Sequence, residues 1–343
     1  MSNQLKRICA VDTVYSLFLY FLICEYNEED IFIFSGGIPL EIRKNINHIY
    51  FPNLKFIEGY KLYKTNTIKG ILKNIFGYLK YVLNIFRLRI LLSLKTLNKE
   101  VNVYGHGHVT FSYIFYEYEN SFIIEDGIAN YYGLKKTPKL NKILEKILHF
   151  LGIYIFSLKE GFGTHKNIKK VFLTKEYVPK EIKNKVIIID IKKLWNKKTG
   201  KEKEKILSNM NFDKNILTSL KSKKIILLTS PYSEENLLDF NTEITIYKNL
   251  LKKYNPQDVF IKKHPRETKN YKEIFPEIEV IENSFPVELL EIFEIKIEKI
   301  LTISSSAALN FKNCEIELYE GKTPSKKVNK SIKLLKEKII KNR

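Results

Sequence analysis

The sequence predicts two α/β domains in tandem. Three observations carry that prediction. Short apolar runs alternate with longer helical patterns; the alternation falls into two series either side of a polar, lysine-rich stretch from Lys192 to Lys205; and nearly every apolar run ends in small, polar or ionisable residues. The length of 343 residues is enough for two medium-sized cores. The expected division is 1–195 and 196–320, with the boundary region near 190–220 and a basic tail over 321–343.

The first element has to be separated from a targeting signal. Lys6 and Arg7 precede an apolar run from Ile8 to Cys24, which superficially resembles a signal peptide. Asp12 interrupts that run, no small-residue cleavage pattern comes before Glu28-Glu29-Asp30, and the run is shorter than the roughly 20 residues that cross a bilayer. It reads instead as a strand (Lys6 to Val11), a turn at Asp12-Thr13 whose side chains can cap a helix, and an apolar helix (Val14 to Tyr26). Further strands are expected at Ile31–Phe34, His48–Phe51, Val101–Tyr104, Ser121–Ile124 and Val171–Thr174. The second series places strands at Lys224–Thr229, Val259–Lys263, Glu277–Ile281, Lys299–Ile303 and Glu315–Tyr319. Helices are expected between them at about 242–254, 286–293 and 306–312.

Composition narrows the function classes. With 58 Lys+Arg against 38 Asp+Glu the formal charge is +20, yet 44% of the chain is apolar and 13% aromatic, which excludes a disordered polar chain. A surplus of this size suggests a polyanionic partner: nucleic acid, an anionic membrane face or a phosphorylated substrate. Nucleic acid is disfavoured, because the aromatics lie in apolar runs and no recognisable binding motif is present. Cys9, Cys24 and Cys314 are odd in number and widely spaced, which indicates neither a disulfide framework nor a cysteine zinc site and fits a reducing compartment.

Open α/β sheets bind ligands at the carboxyl ends of their strands. In the first domain those ends carry Asp12-Thr13, Ser35-Gly36-Gly37, Gly105-His106-Gly107-His108 and Glu125-Asp126-Gly127. In the second they carry Ser230-Pro231-Tyr232-Ser233-Glu234-Glu235, His264-Pro265-Arg266-Glu267 and Ser304-Ser305-Ser306. Two such sets facing one another across a cleft suit a group-transfer enzyme, with an activated donor in one lobe and an acceptor in the other. The second lobe reads as the donor side. Its serines come directly after a buried strand and open a helix, so hydroxyls and free N–H groups converge as at an anion site, although ordinary capping has the same pattern. Pro265 ends the strand before it and presents His264, flanked by Lys262, Lys263 and Arg266. That histidine can hydrogen-bond a phosphate oxygen or, if protonated, donate a proton to it. In the first lobe, Glu125 and Asp126 offer a base and an orienting carboxylate, with Gly127 permitting a sharp turn. Asp12, Thr13, His106 and Gly127 are read as acceptor-side residues. His106 and His108 lack the further ligands that a closed metal site needs.

The ordered set Glu125-Asp126-Gly127, Ser230-Pro231, Lys263-His264-Pro265-Arg266-Glu267-Thr268 and Ser305-Ser306-Ala307-Ala308-Leu309 resembles the bacterial sialyltransferases of the lipooligosaccharide type, glycosyltransferase family 52. Looser forms of the paired-acid–Gly, His-Pro and serine motifs are shared by bacterial polysialyltransferases. The resemblance spans roughly residues 6–320 and rests on the set, no single motif being specific. It implies a GT-B fold of two Rossmann-like domains facing a central cleft and CMP-sialic acid as donor substrate. It further implies inverting transfer to a sugar hydroxyl, galactose in the first instance, with no metal and no cofactor. None of the seven Asp residues forms the Asp-x-Asp pattern common in metal-dependent sugar transferases. The donor residues it implies are Ser230, Pro231, Lys263, His264, Pro265, Arg266, Ser304, Ser305 and Ser306. One departure is Ser305-Ser306, where the family can have Ser-Gly. Another concerns the base. In the lipooligosaccharide type an aspartate stands directly after Ser-Pro, but here Tyr232 stands there and Glu234 and Glu235 come shortly after. In the polysialyltransferases the base is the first acid of the acid–acid–Gly motif, corresponding to Glu125. Family proximity favours Glu234 or Glu235, with Glu125 competing.

The remaining charge lies elsewhere. From Thr67 to Leu97 a helical pattern runs without an acid, on the order of 45 Å long, with Lys69, Lys73, Lys80 and Arg87 on one stripe and a wide apolar face. From Lys322 to Arg343 nine Lys/Arg stand against one acid, with Val328, Ile332, Leu335 and Ile339 at helical spacing. Both segments suit the anionic, inner face of the cell membrane, where the glycan or glycolipid acceptor of a surface lipooligosaccharide or capsule is assembled. Packing on their own domains or in a homodimer is the other reading. The expected setting is cytoplasmic and peripheral to the membrane.

Overall fold

The computed structural model describes residues 6–51, 83–96, 100–107, 114–127, 129–132, 160–282, 284–311 and 313–342. The chain divides into two compact units, Met1–Ile38 with Ile46–Lys203, and Pro39–Asn45 with Glu204–Arg343.

The first unit is built on seven parallel strands: β1 (Lys6–Val11), β2 (Ile31–Phe34), β3 (His48–Tyr50), β4 (Val101–Gly105), β5 (Asn120–Ile124), β6 (Ile168–Leu173) and β7 (Val186–Ile188). Their order is β3-β2-β1-β4-β5-β6-β7. The register is set by side chains buried on both faces, with Ile8 opposite Ile31 and Ile8 also opposite Val103. Strands of this kind read as continuous apolar runs because helices cover both faces. Ile8, Ala10, Ile33, Val103, Ile123 and Val171 make one side of the core. On the chain's first turn, the Thr13 Oγ1 accepts the Ser16 N–H (3.2 Å) and starts the helix Val14–Ile23, the capping expected from Asp12-Thr13. Eight of its ten residues are buried. Burying each large apolar side chain contributes about 1.5–3 kcal/mol, so a charge at Leu17 or Phe18 would break it.

Three features bear on the expected layout. The polar, lysine-rich stretch 192–205 lies largely within two helices, Ile191–Lys197 and Gly200–Asn209. The former is started by Asp190 (2.9 Å to the Lys193 N–H) and anchored by buried Trp195, whose ring centroid lies 6.5 Å from that of Phe18. Strand β7, three residues long at the sheet edge, is not among the expected strands. The long basic helix is described only over 83–96, where it is helical; Lys69, Lys73 and Lys80 lie outside the described residues. Over 83–96 it buries Ile85, Leu88 and Leu92 and exposes Leu83, Phe86, Ile90 and Leu94.

The second unit holds five parallel strands, β8 (Ile225–Leu228), β9 (Val259–Lys262), β10 (Glu279–Ile281), β11 (Lys299–Thr302) and β12 (Glu315–Leu318), in the order β10-β9-β8-β11-β12. Leu227, Ile261, Leu301 and Ile303 pack against Ile244, Tyr247 and Leu251 of the helix Phe240–Leu251. The helix expected at 306–312 is a five-residue 3-10 turn, Ser306–Asn310, because the chain must reverse into β12 and does so with Asn313 at φ 58°. The basic tail forms the helix Lys326–Asn342. Its Val328 and Leu335 are buried, and Val328 belongs to the second unit's core, so its apolar face is occupied by its own domain.

Candidate active site

Both sheets reverse direction at one point, between β1 and β4 in the first unit and between β8 and β11 in the second. That switch point is where an open α/β sheet leaves room for a ligand.

In the first unit, β1 delivers Asp12 and Thr13, β4 delivers Gly105 and His106, and β5 delivers Glu125, Asp126 and Gly127. The Asp12 Oδ1 accepts the Gly37 N–H (3.1 Å), tying the ends of β1 and β2 together. His106 is fully buried, its N–H bonded to the Ala10 carbonyl (3.2 Å), with its Nε2 3.6 Å from the Asp126 Oδ1. Gly127 has φ +125° with nothing within 4 Å of where a Cβ would stand. The glycine is therefore required by backbone conformation and not by crowding. His108 lies outside the described residues. Among the described residues no three His, Cys, Asp or Glu side chains gather as metal ligands.

Glu125 is 1% exposed. Its Oε2 accepts three bonds, from the Tyr131 hydroxyl (2.7 Å), the Thr174 N–H (2.6 Å) and the Thr174 hydroxyl (2.7 Å). Burial nevertheless dominates and raises its proton affinity above that of an ordinary glutamate, against those bonds and Lys175. A carboxylate so placed is a better base than an exposed one. Its backbone is fixed as well, through the Phe172 carbonyl (3.0 Å) and the Ser16 hydroxyl (2.6 Å). Tyr131 and Thr174 leave no signal in the sequence, because each meets Glu125 only through the fold.

In the second unit, β8 delivers Ser230 and Pro231, β9 the loop Lys263 to Glu267, and β11 Ser304 to Ser306. The sheet order puts β8 between the other two, so its loop adjoins each of them. Thr302 stitches the ends of β8 and β11: its hydroxyl donates to the Leu228 carbonyl (2.9 Å) and accepts the Ser305 N–H (3.0 Å). The Ser230 N–H is held by the Tyr247 hydroxyl (2.9 Å), and the Tyr232 hydroxyl bonds the Ser304 hydroxyl. Tyr232, in the position where the resembled family has its aspartate, therefore packs between two of the loops. With only a 3-10 turn behind them, Ser305 and Ser306 offer hydroxyls and local N–H groups, without the dipole of a long helix.

His264 is half-buried, and the Arg266 N–H donates to its Nδ1 (3.1 Å). An Nδ1 that accepts a bond carries no proton, so the neutral ring bears its hydrogen on Nε2. Burial, Arg266 and Lys262 all hold the ring well below the usual imidazole range. In this structure the ring is thus set as a neutral N–H donor, the state that goes with a hydrogen bond to a phosphate oxygen and not with proton donation. Lys262 departs from the expected cationic patch. Strand alternation turns it inward, where its ammonium lies 4.6 Å from the Phe285 ring centroid and burial lowers its pKa to about 7.

The two acids after Ser-Pro are engaged. Glu234 accepts from Lys269 (2.6 Å) and from the Thr268 N–H (2.9 Å), and its carboxyl is depressed despite its burial. Glu235 pairs with Arg266 (2.9 Å).

A Haemophilus influenzae protein, itself uncharacterized, is 33% identical over 301 residues, covering 86% of this chain and 92% of its own. The α/β-galactoside α-2,3-sialyltransferase of Photobacterium phosphoreum superposes with a TM-score of 0.53 at 13% identity, over 97% of this chain and 96% of that one. A Photobacterium 2,6-sialyltransferase, solved with the donor product CMP and the acceptor substrate lactose, gives 0.57 at 16% identity, over 98% and 76%. The GT-B domain of a Photobacterium damselae sialyltransferase gives 0.53 at 14% identity, over 98% and 97%. The fold is of the GT-B type. Residues 53–322 match the model of glycosyltransferase family 52, and the chain belongs to that family.

Proposed function

We propose that this glycosyltransferase moves sialic acid from CMP-sialic acid to a galactose hydroxyl of a bacterial surface glycan, with inversion and without a metal. The observation that carries the reading is His264, set as a neutral Nε2–H donor next to the end of β8, the strand that borders the second unit's switch point. A departing nucleotide monophosphate is a dianion, and such donors stabilise it without a proton to give away. The lactose and CMP in the solved Photobacterium enzyme support a galactoside acceptor and a cytidine donor.

The first unit supplies the base. Glu125 takes the proton of the acceptor hydroxyl, whose oxygen attacks the anomeric carbon opposite the phosphate. The bond from that carbon to the CMP oxygen breaks, and the His264 Nε2–H with the Ser305 and Ser306 hydroxyls receives the charge. Glu125 takes this role over Glu234 and Glu235 because it binds a proton more readily than an ordinary glutamate, whereas Glu234 is depressed and Glu235 is paired. Asp126, beside His106, orients the acceptor, with Asp12 and Thr13 on the neighbouring strand. A base on the first acid of the acid–acid–Gly motif is the polysialyltransferase pattern, which favours a capsule polymer as the second reading of the product.

The enzyme works at the inner, anionic membrane face, held there by the helix 83–96. Its outward stripe is apolar, and residues 67–97 contain no acid. Among the described residues no helix is long and apolar enough to cross a membrane. Nucleotide binding tests the donor assignment. A ligand that binds only the folded state stabilises it by about 2.7 kcal/mol at a hundredfold excess over Kd. CMP is expected to raise Tm by degrees where equal UMP and AMP do not. Equal or greater shifts with UMP would overturn the cytidine donor.

A further inference from the structure

We propose that Glu267, paired with Lys269, is the positioning residue that sets the orientation and tautomer of His264. The proposal rests on the reading of His264 as the leaving-group donor. Glu267 grips that residue at both of its backbone groups. Its carboxylate Oε2 accepts the His264 N–H (2.8 Å), and its own N–H donates to the His264 carbonyl (3.0 Å). The same Oε2 accepts the Thr229 hydroxyl at the end of β8, which also accepts the His264 N–H at 3.1 Å. Oε1 accepts the buried Tyr271 hydroxyl (2.7 Å). One side chain therefore ties the His-Pro loop to the neighbouring strand and to the next helix, Tyr271–Ile274.

The grip has a direct chemical consequence. With both backbone groups of His264 fixed, the next turn of the loop points the Arg266 N–H at Nδ1, and that bond forces the ring hydrogen onto Nε2. Without the grip the ring is free to adopt either tautomer, and only one presents an N–H to the phosphate.

A carboxylate with a side chain buried to this degree needs a counter-charge. Lys269 supplies it at 3.3 Å and is shared with Glu234 (2.6 Å) and Glu243 (3.1 Å). Glu243 in turn takes the Ser233 N–H (2.9 Å), on the loop after Ser230-Pro231. Glu234, an expected candidate base, is thus a strut between the β8 loop and the His-Pro loop. One ammonium among three carboxylates explains why Thr268-Lys269 comes after the His-Pro-Arg-Glu run: the charge must lie two residues past Glu267 to reach it.

The test is a double-mutant cycle with a spectroscopic readout. In full-length enzyme, Glu267→Gln should lower kcat with CMP-sialic acid by about tenfold or more, with the CMP Kd changed by less than about threefold. In a His264→Ala background the same change should cost less than about twofold, because a residue acting through His264 has nothing left to position. Tyr271→Phe is the milder companion should Glu267→Gln fail to fold, with the same dependence on His264. Nitrogen-15 spectra of the imidazole, which need no substrate, should show the Nε2–H tautomer in the parent and mixed tautomers in Glu267→Gln. Equal losses in both backgrounds, or a parent tautomer that Glu267→Gln and Tyr271→Phe leave unchanged, would overturn the proposal. An enzyme that shows the expected tautomer response but no turnover of CMP-sialic acid would sink the donor assignment alone.

Discussion

In the proposed mechanism Glu125 and His264 divide the chemistry, and their environments push their proton affinities in opposite directions. Burial makes Glu125 hold a proton more tightly, and the ionised form is the base, so activity is present above its raised pKa and lost as pH falls through it. His264 is held neutral and contributes no limb near its usual range. The pH profile of kcat/KM should therefore show one carboxylate limb on the acid side and none from histidine at about pH 6–7. Glu125→Gln should cost about 10²–10⁴-fold in kcat, against less than about tenfold for Glu235→Gln. The stability effect has the opposite sign. A carboxyl with a raised folded-state pKa stabilises the fold when protonated, and that contribution fades as pH rises through it. The neutral glutamine should thus keep or raise Tm at about pH 8. A profile with a histidine limb, or full activity in Glu125→Gln, would refute the assignment. The identity of both residues is legible from motif order, but their roles are not: the sequence offers Glu125, Glu234 and Glu235 as competing carboxylates, with family proximity favouring the latter two. Burial of the first and the pairing of the others with Lys269 and Arg266 are tertiary facts.

The strands are the most legible elements. Apolar runs bounded by polar ends locate ten of the twelve sheet strands among the described residues to within one or two residues; β6 begins three residues before its expected start, and β7 is not foreseen. Length and edge position alone do not hide β7, since β3 and β10, edge strands of the same three residues, are foreseen. Helices are less legible where charge conceals packing. Lys192 to Lys205 has the composition of a linker, yet a single buried tryptophan anchors its first helix. The helix 83–96 poses the converse case, an apolar face with no described partner on the outside: Leu83 is 67% exposed, Phe86 40%, Ile90 61% and Leu94 63%. These four fall on the side opposite Ile85, Leu88 and Leu92. If that face rests on anionic lipid, the purified protein should bind vesicles containing phosphatidylglycerol but not neutral ones. Changing Phe86 and Ile90 to Ser should weaken binding by about tenfold or more. Dimerisation abolished by the same pair, with no vesicle binding, would assign the face to a second copy instead.

At the scale of the molecule, both units repeat one plan: a parallel sheet that reverses beside its first strand, with polar loops where it reverses. That plan is readable because residues buried on both faces leave little ambiguity about strand position, and function collects at the strand ends. The bonds behind the loops are another matter. Thr302 with Leu228 joins residues 74 positions apart, and Thr229 with His264 joins residues 35 apart, so neither leaves a local signature. The GT-B plan accommodates several nucleotide-sugar chemistries, so the donor must be decided by the site. Incubation with CMP-sialic acid and lactose in EDTA, with product linkage read by NMR, is the most direct measurement. Sialyl-lactose of inverted anomeric configuration is expected at undiminished rate in the chelator, with no transfer from UDP-sugars; transfer only from UDP-sugars, or a product of retained configuration, would contradict a CMP-dependent inverting sialyltransferase.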